Sequence, residues 1–355
     1  MRIVVLGLSI TSSWGNGHAT NYRALVRALV ARGHDVLFLE RDVPWYAAQR
    51  DLPEPPWGTT RLYGSLDELR SEYAGAVCDA DVVVVGSYVP EGVAVGEWVV
   101  ATARGLAAFY DIDTPVTLAK LARGDFEYLT PQLVRDFGLY LSFTGGPTLE
   151  RIEQELGSPC ARAFHCLVDP DAYPVIAAER RWDLGYLGTY SEDRQPALER
   201  LLIEPARRDP ALRCVVAGPS YPDDVAWPAN VQRIEHLAPG EHPAFYAAQR
   251  FTVNVTRADM VAAGWSPSVR LFEAAACAVP VISDAWPGLD AFFVPGAEIV
   301  VAQGAGDVQH ALADTSDAER DAIGRRARER VLAQHTAGRR AAEFEQHVTA
   351  AMATA

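Results

Sequence analysis

Short apolar runs recur along the chain, each closed by small or polar residues. They fall at Arg2–Gly7, 35–39, 81–86, 106–110 and 139–143 in the first half, and at 183–187, 213–217, 231–234, 251–255 and 279–282 in the second. The DVVVVG run at 81–86 is apolar at successive positions, the pattern of a parallel strand buried on both faces. Between the runs, apolar residues return at helical spacing over about 19–31, 91–104, 147–156, 194–208 and 241–249. This alternation predicts an α/β fold with parallel sheets. The Val43–Tyr63 stretch, rich in Pro and Trp, reads as an excursion between elements, with Trp45, Tyr46 and Trp57 either stacking on a ligand or packing as core. The tail from Asp307 to Thr354 reads as helix, interrupted at Gly304, Gly324 and Gly338.

Length sets the domain count. At 355 residues the chain accommodates two domains of ordinary size. Asp169-Pro170, Tyr173-Pro174 and the polar AAERRWD make the best linker. The expected domains are 1–174 and 183–335, with 336–355 a closing helix. Five scattered cysteines give no disulfide framework. A net charge of −14 argues against a nucleic-acid partner. No apolar run approaches a membrane span and no targeting segment is evident, so a cytoplasmic location is expected.

The stretch Gly264–Val301, GWSPSVRLFEAAACAVPVISDAWPGLDAFFVPGAEIVV, reads as one α/β unit. Ser266 is a candidate N-cap, and Pro267 suits a first helical turn. Arg270 then stands one turn ahead of Glu273. Ser283 and Asp284 close the next strand, at the end where open parallel sheets bind ligands. A helix N-terminus and a guanidinium suit phosphates, and a carboxylate suits ribose hydroxyls. An ordinary surface Arg–Glu pair has the same spacing. In the first half, the loop after Gly7 lacks the dinucleotide fingerprint G-x-G-x-x-G but holds Gly15 and Gly17 beside His18. Asp111 and Asp113 follow a strand, with Asp111 the candidate base and Asp113 the candidate cap of the next helix. Arg257, near another strand end, is a second candidate phosphate ligand.

The pattern R-x-F-E-A-x-A-C-x-x-P-V-I-S-D, followed by G-L-x-x-F-F-x-P-G-x-E-I, resembles the donor-nucleotide segment of GT-B glycosyltransferases. It is most similar to the group 1 branch related to spore-maturation protein CgeB. SSWGNGHATNYRALVRAL resembles the glycine-rich first loop of the GT-B N-terminal domain. The resemblance implies two Rossmann-like domains whose parallel sheets face a central cleft, with the last helix crossing back to the first domain. It implies a nucleoside-diphosphate sugar as co-substrate, with no further cofactor and no metal, and an acceptor hydroxyl as second substrate. Glu273 would hold the ribose. Gly188, Thr189, Gly218, Arg257, Ser266 and Arg270 would surround the phosphates, and the loop at His236 and Leu237 would meet the base. Trp14, Gly15, Asn16, Gly17 and Asp113 would line the acceptor side, with His18 or Asp111 as base. Two positions depart from the family: Trp265 stands where related retaining enzymes carry a second glutamate, and Ala278 where many carry glycine. A nucleotide-sugar epimerase or hydrolase, and a non-catalytic sugar- or nucleotide-binding protein, are the competing readings.

Overall fold

The computed structural model describes residues 1–15 and 17–354. Asn16, expected in the acceptor loop, lies outside them. The chain divides into two compact units. Met1–Leu167 and the C-terminal stretch from Ala337 form the first, and Val168–Thr336 form the second.

The first unit carries strands β1 (Arg2–Gly7), β2 (Asp35–Arg41), β3 (Thr59–Tyr63), β4 (Val82–Gly86), β5 (Leu106–Asp111), β6 (Leu139–Ser142) and β7 (Ala161–Ala163). They lie in the order β3-β2-β1-β4-β5-β6-β7, and every neighbouring pair is parallel. Successive strand residues point to opposite faces. Ile3, Val5, Val82 and Val84 therefore join one hydrophobic cluster, while Val4, Leu6, Val83 and Val85 join another. Each buried valine contributes roughly 1.5–3 kcal/mol of transfer free energy. The helices His18–Ala31 and Ala337–Thr354 pack in the first cluster, the latter through Ala341, Phe344, Val348 and Ala351.

The second unit carries β8 (Trp182–Leu187), β9 (Cys214–Ala217), β10 (Val231–Ile234), β11 (Gln249–Asn254), β12 (Val281–Ser283) and β13 (Val300–Val301). Their order is β10-β9-β8-β11-β12-β13, again all parallel. Both sheets thus reverse strand order beside their first strand, between β1 and β4 and between β8 and β11.

Three local expectations need correction. The division falls at Leu167, ahead of Pro174, because the following segment is bonded into the second unit. The Val168 amide donates to His335 O at 3.0 Å, and the Tyr173 phenol donates to Glu273 at 2.7 Å. The Val43–Tyr63 excursion ends in a strand, β3, which pairs with β2 at the sheet edge, where burial on both faces is not required. In the same stretch Tyr46 is buried and Trp57 packs against the core, while Trp45 is 60% exposed. Gly324 and Gly338 do not interrupt the tail; both lie inside helices, Asp317–Gln334 and Ala337–Thr354. A Cβ on Gly324 would stand 2.1 Å from Ala278 O, so this glycine permits close approach rather than a break. None of the five cysteines is in a disulfide.

One buried carboxylate fixes the loop after β1. Glu40, at the end of β2, accepts from the amides of Ile10 (2.6 Å) and Thr11 (3.0 Å) and from the hydroxyls of Thr11 (2.6 Å) and Ser9 (3.2 Å). Arg23 donates to Ile10 O and pairs with Asp51, which also accepts from Ser13. Burial raises the Asp51 pKa, but the Arg23 and Ser13 bonds outweigh it and hold the group at about 2. Glu40→Ala leaves two buried amides and the Thr11 hydroxyl without their acceptor, while Ser9 keeps Ser12 O. It is expected to cost on the order of 3 kcal/mol in urea unfolding, with faster proteolysis between Ser9 and His18.

Candidate functional site

In the second unit the reversal of strand order leaves a gap at the C-terminal edge, between the ends of β8 and β11, where open parallel sheets bind ligands. Three arginines come to this gap. Arg270, on the helix Val269–Ala276, is 7% exposed and lies over the Tyr186 ring at 4.5 Å. Its Nε donates to Leu187 O and its Nη1 to Asn254 Oδ1 at 3.1 Å. The guanidinium is close enough to Gly188 that a Cβ there would stand 2.7 Å from Nη2. Arg194 donates through Nη2 to Thr189 O at 2.9 Å, and its buried Nε has no hydrogen-bond partner among the described residues. Arg257, at the start of the helix Ala258–Ala263, has its Nε 3.9 Å from Asp193. Burial first, and the charges of Arg270 and Arg257 after it, lower the Arg194 pKa. Like charges held this close in a partly buried gap favour an anion among them.

The surrounding loops are locked by backbone proximity. Gly218 has φ +140°, and a Cβ on it would come 2.1 Å from Gly188 O. Only glycine lets the turn after β9 touch the turn after β8. Arg233 donates to Gly218 O at 2.9 Å, and the Tyr221 phenol donates to Gly188 O at 3.1 Å. Asn254 joins the next elements: it donates to Ser283 Oγ (3.0 Å) and accepts from Ser268 Oγ (2.6 Å). Asp284 is buried and accepts from the Thr256 amide and hydroxyl, which ties the ends of β11 and β12. Glu273 is 5% exposed and accepts from the phenols of Tyr173 (2.7 Å) and Tyr246 (3.1 Å). His236 is exposed and Leu237 half-buried beyond β10. A cavity of about 340 Å³ lies beside Leu237 and Ile234, lined also by Arg181, Trp182, Glu241 and Ala248, and so reaches to the N-terminal ends of β8 and β11, the opposite end of those strands from the arginine gap.

Ser266 and Pro267 do not start the helix. Its N-cap is Ser268, whose hydroxyl donates to Asn254 rather than capping, and Ser266 is buried ahead of it. Trp265 holds a left-handed backbone, φ 43°, strained for a side chain of this size. Its amide donates to Pro287 O at 2.7 Å, and its ring covers Gly288, where a Cβ would stand 2.5 Å away. Left-handed Ala278 occupies the turn after the same helix, with φ 56°.

In the first unit the corresponding gap lies between the ends of β1 and β4. His18 opens the helix His18–Ala31 and packs edge-on against Tyr88 at 5.6 Å. Tyr88 follows β4 in a left-handed conformation, φ 63°. Strain of this kind gathers at functional sites. Burial lowers the His18 pKa to about 4, so the ring is neutral at pH 7, and its Nδ1 has no hydrogen-bond partner among the described residues. Gly15 has φ +65° and, like Gly17, nothing within 4 Å of an added Cβ, so this loop is open around them. Trp14 is exposed.

Asp111 takes an internal role instead of the expected base role. It is fully buried, and accepts from Tyr140 (2.5 Å), Thr117 (2.7 Å) and the Asp113 amide (3.3 Å). Asp113 occupies the N-cap position of Thr114–Ala122 but makes no side-chain cap; its carboxylate accepts from the Tyr88 phenol at 3.1 Å. Among the described residues no three His, Cys, Asp or Glu side chains gather as a metal site.

Burial raises the Asp111 pKa to about 6 despite its hydroxyl donors. The folded state therefore keeps this proton between pH 4 and 6, where the unfolded chain has lost it. Wild-type stability should fall relative to Asp111→Asn as pH rises through that window, by roughly 2–3 kcal/mol. Above about pH 6 the difference should stay level. Denaturant titrations of both proteins at pH 4, 5, 6 and 7 check this.

Residues 194–346 match the family described as Glycosyl transferase-like. No curated protein matches the sequence. Among solved structures, sucrose-phosphate synthase from Thermosynechococcus elongatus is similar over 100% of both chains, at 16% identity and a TM-score of 0.72. HepE of Anabaena, in complex with UDP and glucose, is similar over 98% of this chain and 99% of its own, at 13% identity and a TM-score of 0.73. AviGT4, a glycosyltransferase of avilamycin A biosynthesis, is similar over 100% of this chain and 98% of its own, at 13% identity and a TM-score of 0.64. These matches do not single out the CgeB-related branch. This chain is a protein of the GT-B fold whose residues 194–346 match the Glycosyl transferase-like family.

Proposed function

We propose that this chain is a glycosyltransferase that moves a hexose from a nucleoside-diphosphate sugar to an acceptor hydroxyl without a metal ion. The observation that carries the reading is the approach of Arg194 and Arg270 to the Gly188–Thr189 turn, with Arg257 at Asp193, next to Arg194 in sequence, and Glu273 one helical turn beyond Arg270. Three guanidinium groups at one strand-end gap suit a diphosphate. Glu273 suits a vicinal diol, and the loop at His236–Leu237 suits a flat base. HepE, of like fold, was solved with UDP and glucose, which makes UDP-glucose the first donor to test.

The reaction follows from these groups. The acceptor oxygen bonds to the anomeric carbon as the bond from that carbon to the diphosphate breaks. His18, neutral at pH 7, is the candidate base for the acceptor proton. The arginines take up the charge of the departing diphosphate, the part a divalent ion plays elsewhere.

Calorimetric titration with UDP, dTDP, GDP and CDP, with and without magnesium, tests the donor half. One diphosphate should bind, magnesium should leave its affinity unchanged, and Arg194→Ala should weaken it by about tenfold or more. His18→Gln should retain that affinity while lowering turnover by about a hundredfold. Full turnover in His18→Gln, or undiminished affinity in Arg194→Ala, would remove the corresponding assignment.

A further inference from the structure

Glu273 belongs to a longer hydrogen-bonded series. The Tyr173 phenol donates to Glu273 Oε1 at 2.7 Å, and the Tyr246 phenol donates to Oε2 at 3.1 Å. Burial first, then the Glu273 charge, holds both phenols well above their ordinary pKa, so each keeps the proton that it donates. Having given its proton to Glu273, the Tyr173 oxygen can only accept from its other neighbour, His242 Nδ1, at 3.1 Å. His242 Nε2 lies 3.3 Å from Leu237 O, in the loop expected to meet the base. With its Nδ1 proton donated to Tyr173, His242 bonds Leu237 O only when Nε2 also carries a proton, so the hydrogen-bonded series itself runs from His242 through Tyr173 to Glu273, with the imidazole lying beside that loop.

The acceptor count of the carboxylate gives this series a use. An ionised carboxylate offers about four acceptor sites. The two phenols occupy one on each oxygen and fix the plane of the group. One site then remains on each oxygen, the number that a ribose 2′,3′-diol donates.

We propose that Tyr173 and His242 are positioning residues for the nucleoside half of the donor: Tyr173 orients Glu273 towards the ribose diol, and His242, beside the base-facing loop at Leu237, fixes the Tyr173 oxygen by donating to it. This rests on the reading of Glu273 as the ribose ligand. It adds a selectivity: the site prefers ribonucleotides over 2′-deoxyribonucleotides, and the preference depends on a tyrosine that touches no substrate atom.

The test compares UDP, 2′-deoxy-UDP and pyrophosphate by calorimetry on the full chain, for wild type, Tyr173→Phe and Glu273→Gln, with thermal midpoints recorded alongside. Wild type should prefer UDP over 2′-deoxy-UDP by about tenfold. Tyr173→Phe, which keeps the ring and loses only the hydroxyl, should weaken UDP by about tenfold and bring the preference close to one, with pyrophosphate binding unchanged. A lowered midpoint with the preference intact would make Tyr173 purely structural and overturn the proposal. An intact preference in Glu273→Gln as well would remove the ribose reading on which it rests. If Tyr173→Phe does not fold, His242→Ala, which keeps both phenols, carries the same comparison; an unchanged preference there overturns the proposal.

Discussion

A parallel sheet cannot turn back on itself tightly, so each connection leaves at a strand C-terminus and crosses a face of the sheet before the next strand begins. Where strand order reverses, the two outgoing connections part and leave a gap lined by backbone and by the first residues of the loops. This constraint acts twice here, beside β1 and beside β8. The continuous apolar runs serve it, because both faces of each sheet must be covered before a polar edge can exist. The chemistry-bearing side chains collect at the two gaps: His18 and Tyr88 in the first unit, and Arg194, Arg257 and Arg270 in the second.

The second-unit gap has an electrostatic cost. Arg194 is partly buried near two other cations, and its main internal partner is a carbonyl, Thr189 O. Arg270 is better satisfied, through Leu187, Asn254 and the Tyr186 ring. The two residues divide the labour. Arg270 holds β8 against β11 and sets the position of Gly188, while Arg194 keeps an unused donor. Glu273, one turn beyond Arg270, avoids an ion pair and takes two phenols instead, so its charge is stabilised without being neutralised.

The sheet strands were largely legible in the sequence because strands buried on both faces read as continuous apolar runs. Thr59–Tyr63, at a sheet edge, has no such run and was not legible. The Arg270–Glu273 pair was visible as a local spacing. The start of its helix was not: Ser266-Pro267 is a typical opening, but the Ser268 hydroxyl bonds Asn254 across the sheet and the helix begins later. Asp111 illustrates a further limit. A carboxylate at a strand end is placed for chemistry, yet Tyr140 and Thr117, distant or unremarkable in sequence, enclose it. Tyr173 lies in a Pro-rich stretch that reads as linker, and its contact with Glu273 spans 100 residues, so nothing local signals it. Glu40 is likewise silent in sequence, although the first loop is built on it.

The location of the nucleotide is the point on which everything functional rests, and hydrogen exchange read by mass spectrometry addresses it without assuming an acceptor. With saturating UDP, amide protection should rise in 187–194, 236–246 and 266–273, the segments carrying the arginine gap, the base-facing loop and Glu273. Binding of UDP with no added protection in those segments, or with protection confined to 9–22 of the first unit, would contradict the assignment of the donor to the second unit.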